Sequence, residues 1–246
     1  MKWVIDMLCV FRIHLARLRA EAGPFVLAAL VFPTAMYLFA IAVSGGDQVS
    51  DERRTQFLAG SIVFSLSMTS ISWLGYLLLE NRFTGRLKLF ATLPLAPSSY
   101  VFGIVIFALA QAAIGTATLL ISGYFMGVHS HVNFVALAVV VLLTMLCLCG
   151  ISVIVAARSR SFSEGSLLTD SLGAGLVFLA PVYYSPQAMP RGLRQVAEWL
   201  PTTFAARAIQ ATLAGSSQVA TELLMLSLMA AVTLVVGFKT MAWREE

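Results

Sequence analysis

Two stretches of this 246-residue chain combine charge, glycine and proline at spacings that could do work. The first runs Glu80-Asn-Arg-Phe-Thr-Gly-Arg-Leu-Lys-Leu-Phe-Ala-Thr-Leu-Pro-Leu-Ala-Pro97. It sets one acid and three bases (Arg82, Arg86, Lys88) around Gly85. Leu87, Phe90, Ala91 and Pro94 then recur at three and four, and Pro94 with Pro97 closes the run, which predicts a short helix along a membrane face. Its chemistry is ionic contact, and composition leaves two readings level: a solvated basic loop, or a rigid elbow that passes force from a soluble partner because a short helix moves as one body. The second stretch runs from Tyr183 to Gly215. Pro190 is placed to start a helix striped by Leu193, Val196, Ala197 and Leu200, and Pro201 to end it. Thr202 or Thr203 is placed to cap a second helix through Phe204, Ala208, Ile209 and Leu213. Two such helices predict a segment dipping back into the membrane, where irregular backbone is tolerated only inside protein or along a cavity. Tyr184, Pro186, Pro190 and Pro201 are therefore candidates for an outer gate.

Enzymatic chemistry is harder to find. No Gly-x-x-x-x-Gly-Lys-Ser/Thr phosphate loop and no His-Glu-x-x-His occurs. His14, His129 and His131 lie outside the long apolar runs, so Ser122–Gly123 has no histidine at membrane depth to make it a nucleophile. His129 and His131 share a short loop and read as solvated side chains before metal or haem ligands. Ion coupling needs a titratable group near the bilayer centre, and the strongest polar side chain expected there is the neutral Gln111. The sequence thus predicts no catalytic, cofactor-binding or metal-ligating residue on this chain, and a conduit driven from outside it. Cys9, Cys147 and Cys149 read as buried thiols.

The elements that must position these segments follow from composition. Charged residues make up 11% of the chain and hydrophobic ones 59%, with a mean hydropathy of +0.87, where a soluble domain carries roughly 25% charge. The charges fall in short blocks between uncharged runs of spanning length. Six spans are predicted, at Pro24–Val43, Phe57–Leu79, Val101–Val128, Val132–Ala157, Leu167–Tyr184 and Val219–Met241. The fifth carries Asp170 in its first turn; the sixth carries Glu222 and Lys239 near its ends, within reach of headgroups. Before them, residues 1–21 form an amphipathic helix with Val4, Leu8, Phe11, Leu15 and Leu18 on one stripe and Lys2, Asp6, Arg12, Arg17 and Arg19 opposite. It is too polar to span and belongs in the interface against lipid phosphates. Asp6, the arginines and the lack of a small-residue cleavage site argue against a removed leader.

Counting Lys and Arg by side gives eleven on the N-terminal side and five on the other, which predicts both termini in the cytoplasm. It also accounts for the pI of about 9.2 without nucleic acid. Nothing remains for a second domain, so residues 1–246 form one membrane domain in the cell membrane. Span two mixes Ser61, Ser65, Ser67, Thr69, Ser70 and Ser72 with Phe64, Met68 and Trp73. That mixture suits a pathway for amphipathic cargo, and equally suits helix packing by small residues.

Glu80, Gly85, Leu87, Leu89, Thr92, Pro94 and Pro97 resemble the coupling segment of the ABC-2 type transporter permeases. Ser185, Pro186, Met189, Pro190, Leu200, Pro201 and Thr202 resemble that family's Ser-Pro, Met-Pro, Leu-Pro-Thr signature. The chain departs from the family's usual Gly-Thr-Leu-Glu with Gly85-Arg86-Leu87-Lys88, and has Gln210 where an arginine is common. The resemblance implies an all-α polytopic fold: six transmembrane helices, the interfacial helix, a cytoplasmic coupling helix between spans two and three, and short re-entrant extracytoplasmic helices between spans five and six. It implies an exporter of drugs, antibiotics, lipids or glycolipids, working with two ATP-binding cassette subunits and a second copy or related permease, with ATP and Mg on the partner subunit. Glu80, Arg82, Gly85, Arg86 and Pro94 are then the candidates for coupling, and Phe64, Met68 and Trp73 for the pathway. The alternatives are a non-transporting membrane scaffold or assembly factor, and a secondary carrier.

Overall fold

A computed structural model describes residues 2–20, 22–92, 97–128, 132–184, 187, 189–216 and 218–240. Among these every regular element is helical. Helix α1 (Lys2–Ala20) crosses α7 (Pro97–Phe125). The two backbones approach at Gly103, where a Cβ would stand 2.7 Å from Val10 Cβ and 2.9 Å from the Met7 carbonyl. Around that notch Trp3 meets Phe102 at 5.6 Å, and Phe11 and His14 meet Phe107 at 6.3 and 5.7 Å. Val10 and His14 are buried in this contact, which Phe11 of the predicted stripe joins, whereas Val4 and Leu8 of that stripe stay exposed. Cys9 is also exposed, so only Cys147 and Cys149 are buried thiols.

The first predicted span is helical from α2 (Ala22–Val26) through a π-turn at Leu27–Val31 to α3 (Phe32–Val43). Pro33 lacks an N–H and crowds the carbonyl four residues earlier, a clash that a widened turn relieves. The second is one rod of 33 residues, formed by α4 (Asp51–Ser67), a π-turn at Met68–Trp73 and α5 (Leu74–Phe83). Ser70 Oγ donates back to the Leu66 carbonyl inside that turn, competing with the regular ladder. After α6 (Arg86–Thr92) and α7 come α8 (Phe134–Arg158), α9 (Phe162–Leu179), α10 (Arg191–Glu198), α11 (Pro201–Leu213) and α12 (Ala220–Thr240). Among the described residues, four stretches are long and apolar enough to cross a membrane: Asp51–Phe83, Ser98–Phe125, Phe134–Arg158 and Ala220–Gly237. The chain is a multi-pass membrane protein. Phe32–Val43 is shorter than a full crossing.

The largest revision concerns the fifth span. Its helix begins five residues before the predicted Leu167 and stops at Leu179. Ser161 Oγ accepts the Glu164 N–H at 3.2 Å while Glu164 Oε2 accepts the N–H of Arg160, the residue before the cap, at 2.9 Å, two side-chain bonds that fix the start of the helix. Pro181 prevents its continuation toward Tyr184. Asp170, expected in the first turn, is therefore midway along α9.

Small residues hold the rods together, as they do where lipid leaves no hydrophobic force between helices. Against span two, α9 closes through Gly165 on Leu79, Gly75 on Thr169, and Gly173 on Ser72. Between α8 and α12, a Cβ on Gly150 would lie 2.7 Å from the backbone carbon of Thr233, whose hydroxyl donates to the Cys147 carbonyl at 3.1 Å.

Candidate functional site

At one end of the bundle, α5 stops at Thr84 and the chain turns through Gly85 at φ 75° before α6 begins. That left-handed conformation favours glycine. Nothing lies within 4 Å of a Cβ built there, so the requirement is backbone direction and not close approach. Glu80 Oε1 accepts from Arg86 Nη1 at 3.3 Å, with the two side chains 16% and 51% exposed. Arg82 turns elsewhere: its Nη1 donates to the carbonyls of Ala156 at 2.8 Å, Ala157 at 3.1 Å and Ser159 at 2.9 Å. It thereby satisfies the open carbonyls at the end of α8, where a cation also opposes the helix dipole. Asn81 Nδ2 donates to the buried Tyr100 hydroxyl at 2.8 Å, and the Phe90 ring lies 5.1 Å from Tyr100.

The result is a short helix joined to α5 by the Glu80–Arg86 pair and to α7 by Phe90, next to an α5 end that Asn81 and Arg82 tie to α7 and α8. Its free surface carries Arg86, Lys88 and Leu89, the last 64% exposed, with Phe83 exposed beside it. Pro94 lies outside the described residues. Pro97, expected to close the elbow, opens α7, where its missing N–H costs nothing.

At the other end, residues after α9 fold back onto span two. A Cβ on Gly60 would stand 2.9 Å from Val182 Cγ1 and 3.0 Å from Tyr183 Cε1, and the Tyr183 hydroxyl is 3.4 Å from Ser61 Oγ. The Tyr184 hydroxyl donates to the Phe178 carbonyl at 2.7 Å. Pro190 is the N-cap of α10, as its spacing suggests. Pro201 opens α11 with Leu200 as the N-cap, so Thr202 and Thr203 are not caps. Their hydroxyls donate to the Leu176 carbonyl at 2.6 Å and the Ala197 carbonyl at 2.5 Å, tying α11 to α9 and α10. Ser185 and Pro186 lie outside the described residues, as do His129 and His131.

Residues 7–214 match the sequence pattern of the ABC-2 type transporter. The chain belongs to the ABC-2 type transporter family. No curated protein matches it. Both motif-bearing ends of this ABC-2 chain fall inside the matched stretch, and α12 lies beyond it.

The pathway candidates of the ABC-2 chain are not brought together on one open face. Phe64 is 2% exposed, enclosed by Phe32 at 5.4 Å and Phe178 at 6.4 Å. Met68 and Trp73 are half-buried. Most of the hydroxyls of span two pack inward: Ser67 Oγ donates to the Gly173 carbonyl at 2.8 Å and Ser70 Oγ contacts Met145 Sδ at 2.8 Å, both fully buried. Packing accounts for them, and Ser72 is the one left half-buried.

Asp170 is the residue that the sequence reading misplaced. It is exposed and makes no hydrogen bond or ion pair among the described residues. Since Thr169 abuts Gly75, it sits level with Gly75, about 12 Å along the rod from Phe83 at 1.5 Å per residue. The signal that would have located it is the Ser161-x-x-Glu164 cap.

Proposed function

We propose that this chain is the permease subunit of an ATP-driven exporter of hydrophobic or amphipathic molecules, with the α6 elbow as the docking point for a separate ATP-binding subunit. One observation carries the reading: α6 offers an exposed surface of Arg86, Lys88 and Leu89, meets Tyr100 of α7 through Phe90, and directly follows the end of α5 that Asn81 and Arg82 tie to α7 and α8. A push on that surface would reach α7 through Phe90 and Tyr100 and the end of α5 through Arg86 and Glu80, and from α5 would pass to α8 through Arg82. Arg86 and Leu89 are the contact residues of this scheme, Glu80 orients Arg86, and Arg82 is a positioning residue. ATP and Mg belong to the partner, of which two copies serve a dimer of this chain or a pair with a related permease.

Six spans complete the topology, with α2–α3 and α9 as the first and fifth and both termini in the cytoplasm of the cell membrane. The elbow then faces the ATP-binding subunits, and α10 with α11 forms the re-entrant outer segment. Tyr184, Pro190 and Pro201 shape that segment, which is braced on span two through Tyr183 and Gly60 and closes the far end of the path.

The test is a photo-crosslinking amino acid at Leu89, with Val196 on α10 as control, in membranes containing a candidate ATP-binding subunit. Capture from Leu89 alone supports the docking point. Capture from both positions, or from neither while the two chains co-purify, removes it. A secondary carrier is the second reading, favoured by Asp170 alone, and would show gradient-driven uptake without any ATPase.

A further inference from the structure

We infer that a groove along α7, at the end of the bundle opposite the elbow, seats one acyl chain of a membrane phospholipid. The inference stands apart from transport. A cavity of about 630 Å³ lies there between α7, the start of α8, the end of α11 and span two, within the size range of preformed ligand pockets. Ala117, Leu120, Ile121, Tyr124 and Phe125 recur at three and four and line it along one face of α7. Leu58 of span two and Leu213 of α11 line it from buried positions, whereas Ile121, Tyr124, Phe125 and Phe134 are exposed. The cavity therefore has a dry floor and a lip on the lipid-facing surface.

Fixed contacts hold its walls apart. A Cβ on Gly123 would stand 2.6 Å from Leu58 Cδ2, so α7 and span two already touch beside the groove. The Asn133 N–H donates to the Thr212 carbonyl at 3.2 Å, which ties the start of α8 to α11 next to Leu213. Length and chemistry select the occupant. From Ala117 to Phe125 the groove runs about 12 Å at 1.5 Å per residue, close to the roughly 15 Å that one leaflet contributes to the hydrocarbon core. Tyr124 is the one lining side chain with a polar atom, so the groove suits an extended hydrocarbon chain with its polar end outside.

The test uses the purified chain in detergent, stripped of lipid and titrated with a phosphatidylcholine brominated in its acyl chain. Tyr124→Trp places a fluorophore on the lip, and Leu228→Trp, at an exposed position of α12, is the control; each is read as the difference from the unsubstituted protein. Saturable quenching at one phospholipid per chain is expected from Tyr124→Trp, and only gradual, unsaturated quenching from Leu228→Trp. Adding Ala117→Phe, which puts a ring into the groove from an exposed position, should weaken the saturable phase at least fivefold. Unsaturated quenching at both positions overturns the inference, as does an unchanged affinity with Ala117→Phe. Protection of the Tyr124→Trp signal that grows with protein concentration also overturns it, because a second copy of the chain then covers the groove.

Discussion

Arg82 and Arg86 are four residues apart, carry the same charge, and are expected to fail in opposite ways. Removing Arg82 with Arg82→Ala strips three carbonyls at the end of α8 of one shared donor, Nη1. One nitrogen carries two hydrogens, so the three contacts count as two bonds. At about 1.5 kcal/mol for a charge-assisted bond at a partly exposed site, the loss is about 2–3 kcal/mol. For a chain of this size that lowers Tm by about 4–12 °C. Arg86 is half exposed and its pair with Glu80 is 3.3 Å long, so Arg86→Ala should cost less than about 1 kcal/mol while abolishing stimulation of the partner ATPase. The assay is thermal unfolding of each purified variant in nanodiscs, followed by ATPase activity of the assembled complex at a temperature where both are folded. If Arg82→Ala melts with the wild type, or Arg86→Ala is the less stable of the two, the division into a brace and a contact is wrong.

Other interfaces give sharper or milder outcomes. Gly150→Leu drives a side chain into the backbone of Thr233, with no flexible atom to yield, and should cost at least about 1–3 kcal/mol and release α12, read as faster proteolysis of the C-terminal helix. Asn81→Ala leaves the buried Tyr100 hydroxyl without its 2.8 Å donor and should destabilise by about 1–3 kcal/mol; Tyr100→Phe in the same background should recover part of that in a double-mutant melt. Thr202→Val removes the 2.6 Å bond to the Leu176 carbonyl at a cost near the measured membrane average of about 0.6 kcal/mol, so an unchanged Tm within a degree or two is expected, with added cysteine reactivity in α11 as the visible effect.

Much of the helical layout was legible because long apolar runs and proline punctuation are local signals. The helices after Pro190 and Pro201 and the short helix from Arg86 all rest on residues within a few positions of each other. Features set by distant partners were not legible. Which face of α1 packs was decided by Gly103 on α7, and Arg82 could not be separated from Arg86 because its acceptors lie more than seventy residues away. The serines of span two looked like pathway residues until α9 and α8 were placed against them. Asp170 stands between these cases: its depth followed from a four-residue cap that hydropathy averages over.

The most direct test of the account is export of fluorescent amphiphiles from proteoliposomes holding this chain with its ATP-binding subunit. Transport is expected to need ATP and both chains, to stop with Arg86→Glu, and to continue when ion gradients are collapsed. Transport by this chain alone on an ion gradient, or a complex that hydrolyses ATP and moves nothing, would contradict it.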